Sequence, residues 1–207
     1  MPDRMLTLPL TSARWADFEA VMGPQGACYG CWCSYFRMPA AVRKLTDANQ
    51  KRQAMYDRVA AGPPPGLIGY IDTRPVAWLQ VGPRADVPNW NSSRTVSRPL
   101  EKADAADPSI WAVSCFFVVS GQRGKGLSHA MLSAAIDFAA TNGCRLLEAC
   151  PIDLAKQSKS VGLYVGPTAV FRKAGFEEVA LRKPGRPLMR LDIARIAPSA
   201  GNQPGAI

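Results

Sequence analysis

The chain has 207 residues, 47% hydrophobic and 20% charged, enough for one substantial core and too apolar for a disordered segment. Lys and Arg number 25 against 16 Asp and Glu, and the resulting charge of +9 suggests an anionic partner without choosing among nucleic acid, anionic lipid and a polyphosphate cofactor. No apolar run approaches the roughly 20 residues that span a membrane. The first residues lack a signal-like stretch, and the six cysteines do not resemble a secreted disulfide framework, so a cytoplasmic protein with free thiols is expected.

Met5 to Leu10 alternates weakly and reads as a first strand. Ser12 is placed to cap a helix whose Trp15, Phe18 and Met22 recur at helical spacing, stopped by Gly23-Pro24. A loop of cysteines, glycines and aromatics runs from Gly26 to Pro39, and helix formers extend from about Thr46 to Ala61. Leu67 to Ile71 and Val76 to Val81 read as a β-hairpin. The polar connection from Gly82 to Pro108, with Arg84, Arg94, Arg98 and Lys102, is long enough to suggest function.

Ile110 to Val119 is the strongest strand, apolar except for Ser114, and suits a position covered on both faces. Ser120-Gly121-Gln122-Arg123-Gly124-Lys125-Gly126 then opens a helix with Leu127, Ala130, Met131, Ala134, Ala135 and Phe138 on one stripe. Asn142-Gly143 ends it, and Arg145 to Cys150 forms the next strand. A polar loop reaches Tyr164, and Pro167 begins a short helix to Ala174 that Gly175 stops. Strands Phe176 to Leu181 and Leu188 to Ile193 follow, then a loose tail over residues 196–207. The expected order is β-α-α-β-β-β-α-β-α-β-β, an α/β mixed sheet in one domain over residues 1–195.

The turn after the strongest strand carries the chemistry. The first amides of a helix lack internal partners, and the helix dipole adds positive charge there. Glycines at 121, 124 and 126 admit a ligand to the backbone, and Arg123 and Lys125 add cations. A phosphate-bearing guest follows. A nucleotide P-loop is excluded because Leu127 stands where lysine is needed, and a dinucleotide fingerprint fails at His129.

With Arg123-Gly124-Lys125-Gly126-Leu127-Ser128 after an apolar strand, the sequence resembles the GNAT superfamily of acyl-CoA-dependent N-acyltransferases. Val170-Phe171-Arg172-Lys173-Ala174-Gly175-Phe176 is similar to its second segment. Bacterial members with a Cys-x-x-Cys-Trp-Cys loop are the nearest likeness. The resemblance implies that acetyl-CoA, as cosubstrate, donates to an amine in a ternary complex, without an acyl-enzyme. It implies a β-bulge in the strand at Trp111–Val119, and backbone near Phe116, Phe117 and Val118 that holds the pantetheine arm and polarises the thioester. Amides of Arg123, Gly124, Lys125, Gly126, Leu127 and Ser128 take the pyrophosphate, and Phe171 and Lys173 also fall among the coenzyme-binding positions.

Two catalytic positions depart from the family. Its glutamate base aligns with Ala112, leaving Glu148 on the next strand or a water. Its tyrosine acid aligns with Phe171, leaving Tyr164 to supply a hydroxyl or simply to pack. Cys115 and Cys150 are expected to be inert, and His129 to lie at the surface. Cys28, Cys31 and Cys33 either line the acceptor pocket or bind metal, although no metal site is assigned. Tyr29, Trp32, Tyr35 and Phe36 either shape that pocket or pack in the core. Arg84, Arg94 and Arg98 either face solvent or meet an acidic substrate group or the coenzyme's 3′-phosphate.

Two other readings compete. A nucleic-acid module explains the charge but lacks a recognition helix, zinc-finger spacing or stacking motif. An inactive acyl-CoA-binding scaffold, with the cysteine loop as a redox or metal sensor, explains the missing glutamate and tyrosine. The acceptor amine is not legible, no membrane or nucleic-acid partner is expected, and a homodimer is allowed.

Overall fold

The computed structural model describes residues 5–155 and 163–196. Its strands are β1 (Leu6–Pro9), β2 (Gly66–Ile71), β3 (Arg74–Pro83), β4 (Ile110–Val118), β5 (Leu146–Ala149), β6 (Glu177–Leu181) and β7 (Pro187–Asp192). They form one sheet in the order β1-β2-β3-β4-β5-β7-β6. Every pairing is antiparallel except β4 with β5, which α4 (Leu127–Thr141) connects. The mixed α/β class expected from the sequence is the one observed. No helix among the described residues is long and apolar enough to cross a membrane.

The remaining helices are α1 (Trp15–Met22), α2 (Ala40–Leu45), α3 (Ala48–Ala61) and α5 (Thr168–Lys173). Three local expectations need correction. Ser12 does not cap α1: it begins a 3-10 turn over Ser12–Arg14, and neither element's N-cap makes a side-chain bond. The helix expected from about Thr46 is α3, starting at Ala48, and the short α2 that precedes it was not expected. Asp47 breaks them apart by capping α3, its carboxylate accepting from the Gln50 amide (2.8 Å) while the Gln50 side chain accepts from the Asp47 amide (2.9 Å). Pro167 is the N-cap of α5 rather than a residue of its first turn.

The sheet separates two apolar layers. On one face, α4 buries Leu127, Met131, Leu132, Ala135 and Ala139. Ala130, expected on that stripe, is exposed, while Ala134 and Phe138 pack at its edge. Gly69 on β2 lets this helix sit close, since a Cβ there would stand 2.6 Å from the Met131 sulfur. On the opposite face, α1 and α3 bring Phe18, Val21, Met55 and Val59 against Ile68, Tyr70 and Trp78. Burying each large side chain of these layers is worth about 1.5–3 kcal/mol.

Residues β4 and β3 share a break in register that positions the site. Gln80 faces Cys115 but Val81 faces Val113, so Ser114 is an extra residue bulging from β4. Side chains alternate along a strand, so one added residue reverses their phase. Trp111, Val113 and Phe116 consequently lie in the α4 layer, and Cys115 and Phe117 turn to the α1 and α3 layer. The bulge implied by the resemblance is present.

Candidate active site

Beyond the bulge, β4 loses its neighbour on one side. The last residue pair between β4 and β5 is Val113 with Ala149, and β5 ends there. On the other edge the Val119 amide donates to the Val76 carbonyl (3.0 Å). Hydrogen-bonded pairs alternate in an antiparallel ladder, so Phe117 is committed to Trp78, whereas Phe116 and Val118 turn their amides to the edge that β5 has left. Neither amide has a hydrogen-bond partner among the described residues. A slot with two unpaired donors results.

The turn into α4 continues that slot. Gly124 and Gly126 adopt left-handed φ of 79° and 78°, and Gly126 is the helix N-cap without a side-chain cap. A Cβ at Gly121, Gly124 or Gly126 would meet no atom of the described residues within 4 Å, so the space before the turn is open among them. Among the described residues the amides of Gly124, Lys125, Gly126, Leu127 and Ser128 have no backbone partner, while that of His129 donates to the Gly126 carbonyl. Arg123 folds back, its Nε donating to the Val118 carbonyl (2.8 Å), and Lys125 donates to Gln122 (2.8 Å). The donors this turn leaves open are therefore mainly backbone amides. Leu127 sends its side chain into the core, and His129 is exposed.

On the α1 and α3 face lies a cavity of about 740 Å³, walled by the cysteine loop, the 82–108 connection, β4 and Tyr164. Tyr164 sits on a 3-10 turn, Leu163–Val165. A bridge between Ile152 and Pro167 ties that turn to the sheet, and the Tyr164 ring stacks parallel on Phe117 at 6.3 Å. A hydrogen bond with Cys28, and burial after it, push the phenol up to about 12.

A family model for the acetyltransferase (GNAT) family matches residues 32–166, well over half of the chain. The chain belongs to the GNAT family. Its fold is similar to that of yncA from Salmonella typhimurium, solved with its cofactor acetyl-CoA, with a TM-score of 0.53 and 18% identity over 95% of this chain and 99% of that one. An N-acetyltransferase from Staphylococcus aureus Mu50 superposes with a TM-score of 0.52 and 12% identity, covering 92% of this chain and 99% of its own. A ribosomal-protein-alanine N-acetyltransferase from Brucella melitensis gives 0.50 and 21% over 89% and 96%. No curated protein matches the sequence.

Within this GNAT fold the expected site residues divide. Phe116, Val118 and the 123–128 turn lie along one slot, Tyr164 and Cys28 meet at the cavity, and Lys173 is exposed at the end of α5. Phe171 requires correction. It is fully buried, edge-on to Phe116 (5.8 Å) and Phe176 (5.2 Å), and leaves no surface for a coenzyme. Glu148 does not fit the role of base either. Its carboxylate is 0% exposed, with one oxygen on Arg84 and the other accepting from Arg190 Nε (2.8 Å). Arg84, expected in solvent or at a ligand, is instead buried beneath the connection. It donates to the Ser97 carbonyl (2.7 Å) and Asn91 (3.0 Å) and lies on the Trp90 ring. Burial pushes its guanidinium down to about 10, so it stays charged at neutral pH.

The cysteine loop is split between core and cavity. Trp32 and Cys33 are buried with left-handed φ of 45° and 56°, while Tyr29 is 99% exposed. The Cys33 sulfur accepts from the Trp78 indole (2.8 Å) and lies 3.7 Å from Cys115. Cys28, Cys31, Tyr35 and Phe36 face the cavity, and all six cysteines are free. Among the described residues no three Cys, His, Asp or Glu side chains are gathered for a metal. Arg94 reaches the cavity and Arg98 is exposed away from it. Sequence reasoning missed Arg43, Lys44, Lys51 and Arg186 at this cavity. The available signal was that Gly23 to Leu45 holds three cations and no acid.

Proposed function

We propose that this GNAT protein transfers an acetyl group from acetyl-CoA to a primary amine by direct attack in a ternary complex. One observation carries the reading: the unpaired amides of Phe116 and Val118 run into the open amide turn at Gly124 to Ser128. The pyrophosphate takes the turn, with Lys125 and Lys173 as neighbouring cations. The pantetheine arm lies in the slot, and a slot amide polarises the thioester oxygen. The amine enters from the cavity in its neutral form and its nitrogen bonds the carbonyl carbon. The carbon–sulfur bond then breaks, the amine proton leaves to water, and the Tyr164 hydroxyl protonates the departing thiolate. Among the described residues no carboxylate lines the cavity, in keeping with water as the proton acceptor.

Thermal unfolding with coenzyme A and with pantetheine tests the cradle. Coenzyme A at about 100 times its Kd stabilises by about 2.7 kcal/mol, a rise in Tm of roughly 5–10 °C for a chain of this size. Pantetheine at equal concentration, lacking phosphates, should give a much smaller rise. Equal shifts, or none with either, remove the phosphate role from the turn.

A further inference from the structure

Charge in the cavity has one sign. Arg43, Lys44, Lys51, Arg94 and Arg186 line it, and no Asp or Glu does among the described residues. Two of these are fixed by the protein. Arg43 lies 4.2 Å over the Tyr35 ring and donates to the Tyr35 carbonyl (2.7 Å), and Arg186 donates to the carbonyls of Pro151 (3.2 Å) and Cys150 (3.1 Å). The side chains of Lys44, Lys51 and Arg94 make no hydrogen bond or ion pair among the described residues.

The acids nearby are already committed. Asp86 pairs with Arg37 and Arg58, Glu19 with Arg52, and Glu148 with Arg84 and Arg190, while Asp47 caps α3. Gly124 to Ser128 are not among the described residues that line this cavity, so its cations are a set apart from those of the turn. Between them the walls are mostly apolar, with Met22, Phe36, Phe117 and Val165 beside the neutral polar Ser34, Gln80, Asn89 and Thr95.

An amine is a cation near neutral pH, and a cavity of this kind repels it unless the same molecule brings a negative group. Fixed guanidinium groups suit the planar fork of a carboxylate. We infer that the acceptor is a carboxylate-bearing primary amine with an apolar body, the chemistry of an amino acid with an aromatic or aliphatic side chain. This rests on the acetyl-transfer reading given above.

Matched substrates decide the matter. Acetyl transfer is measured for phenylalanine against phenethylamine, and for leucine against isoamylamine. The amino acid should show a kcat/KM at least about ten-fold higher, with the gap narrowing in about 0.5 M NaCl. Lys51→Ala with Arg94→Ala should remove about ten-fold for phenylalanine, with phenethylamine and coenzyme A affinity unchanged. Arg74→Ala, on the β2–β3 hairpin, should change neither. Equal or faster transfer to the decarboxylated amines overturns the inference and leaves acetyl transfer standing. Calorimetry with the CoA-saturated protein separates the other failure. Heat with phenylalanine and none with phenethylamine, without turnover, supports the carboxylate subsite and removes the transfer reading. Neither heat nor turnover across the four compounds overturns the inference.

Discussion

Glu148→Ala separates a structural carboxylate from a catalytic one. The substitution leaves the Arg84 guanidinium fully buried and without its paired carboxylate, in contact only with neutral groups at Ser97, Asn91 and Trp90 while Asp104 acts on it from further off. Arg190 keeps Asp104 at 3.3 Å, so the loss concentrates on Arg84. Breaking one side of a buried ion pair costs about 3–5 kcal/mol. At roughly 2–4 °C per kcal/mol for a chain of this size, Tm should fall by about 6–20 °C. Replacing both partners, Arg84→Met with Glu148→Met, should recover much of that loss, because no unpaired charge remains. Urea and thermal unfolding give the stability, and kcat at a temperature where each variant is folded gives the chemistry. That kcat should stay within about three-fold of wild type, far from the roughly 100-fold loss that removal of a general base produces. A Tm unchanged within about 2 °C, with a 100-fold slower rate recovered at high pH, would refute the reasoning.

Tyr164→Phe should lower kcat by about 100-fold with little change in coenzyme affinity. Because the phenol is pushed up to about 12, the wild-type rate should show no tyrosine-dependent fall below about pH 11; an alkaline limb below pH 10 that disappears in Tyr164→Phe would contradict this assignment. Gly26→Ala meets two penalties, a left-handed φ of 72° and a collision with the Trp32 indole, together about 2–5 kcal/mol. The damage should fall on the cysteine loop. Measured below its Tm, the variant should bind coenzyme A normally and show a raised acceptor KM; weakened coenzyme binding would count against the two-faced site.

The strand, turn and helix of the proposed coenzyme slot were legible because their signals are local. An apolar strand, glycines needing left-handed φ and an amphipathic helix sit within one stretch of chain, Ile110 to Thr141. The start of α3 was also local, written as an aspartate three residues before Gln50, whereas α2, six residues long and without a buried side chain, carried no apolar stripe to announce it. Arg84 and Glu148 lie 64 positions apart, and nothing in a polar connection distinguishes an arginine that will be buried from its exposed neighbours. Phe171 was misplaced for a related reason. Its alignment with a catalytic tyrosine gave the position on α5, but the core fixes which way the ring points. The cavity's cations come from α2, α3, the long connection and the β6–β7 turn, so their convergence is a property of topology rather than of any motif.

The inserted serine in β4 works as a phase shifter for everything downstream. Excising Ser114 would exchange the layers that Cys115 through Val118 address. The thiol and ring at 115 and 117 would be driven beneath α4, and the side chains at 116 and 118 would spill into the cavity on the α1 and α3 face. The two halves of this strand are consequently under separate constraints, and a one-residue deletion there is more damaging than several conservative exchanges on either side.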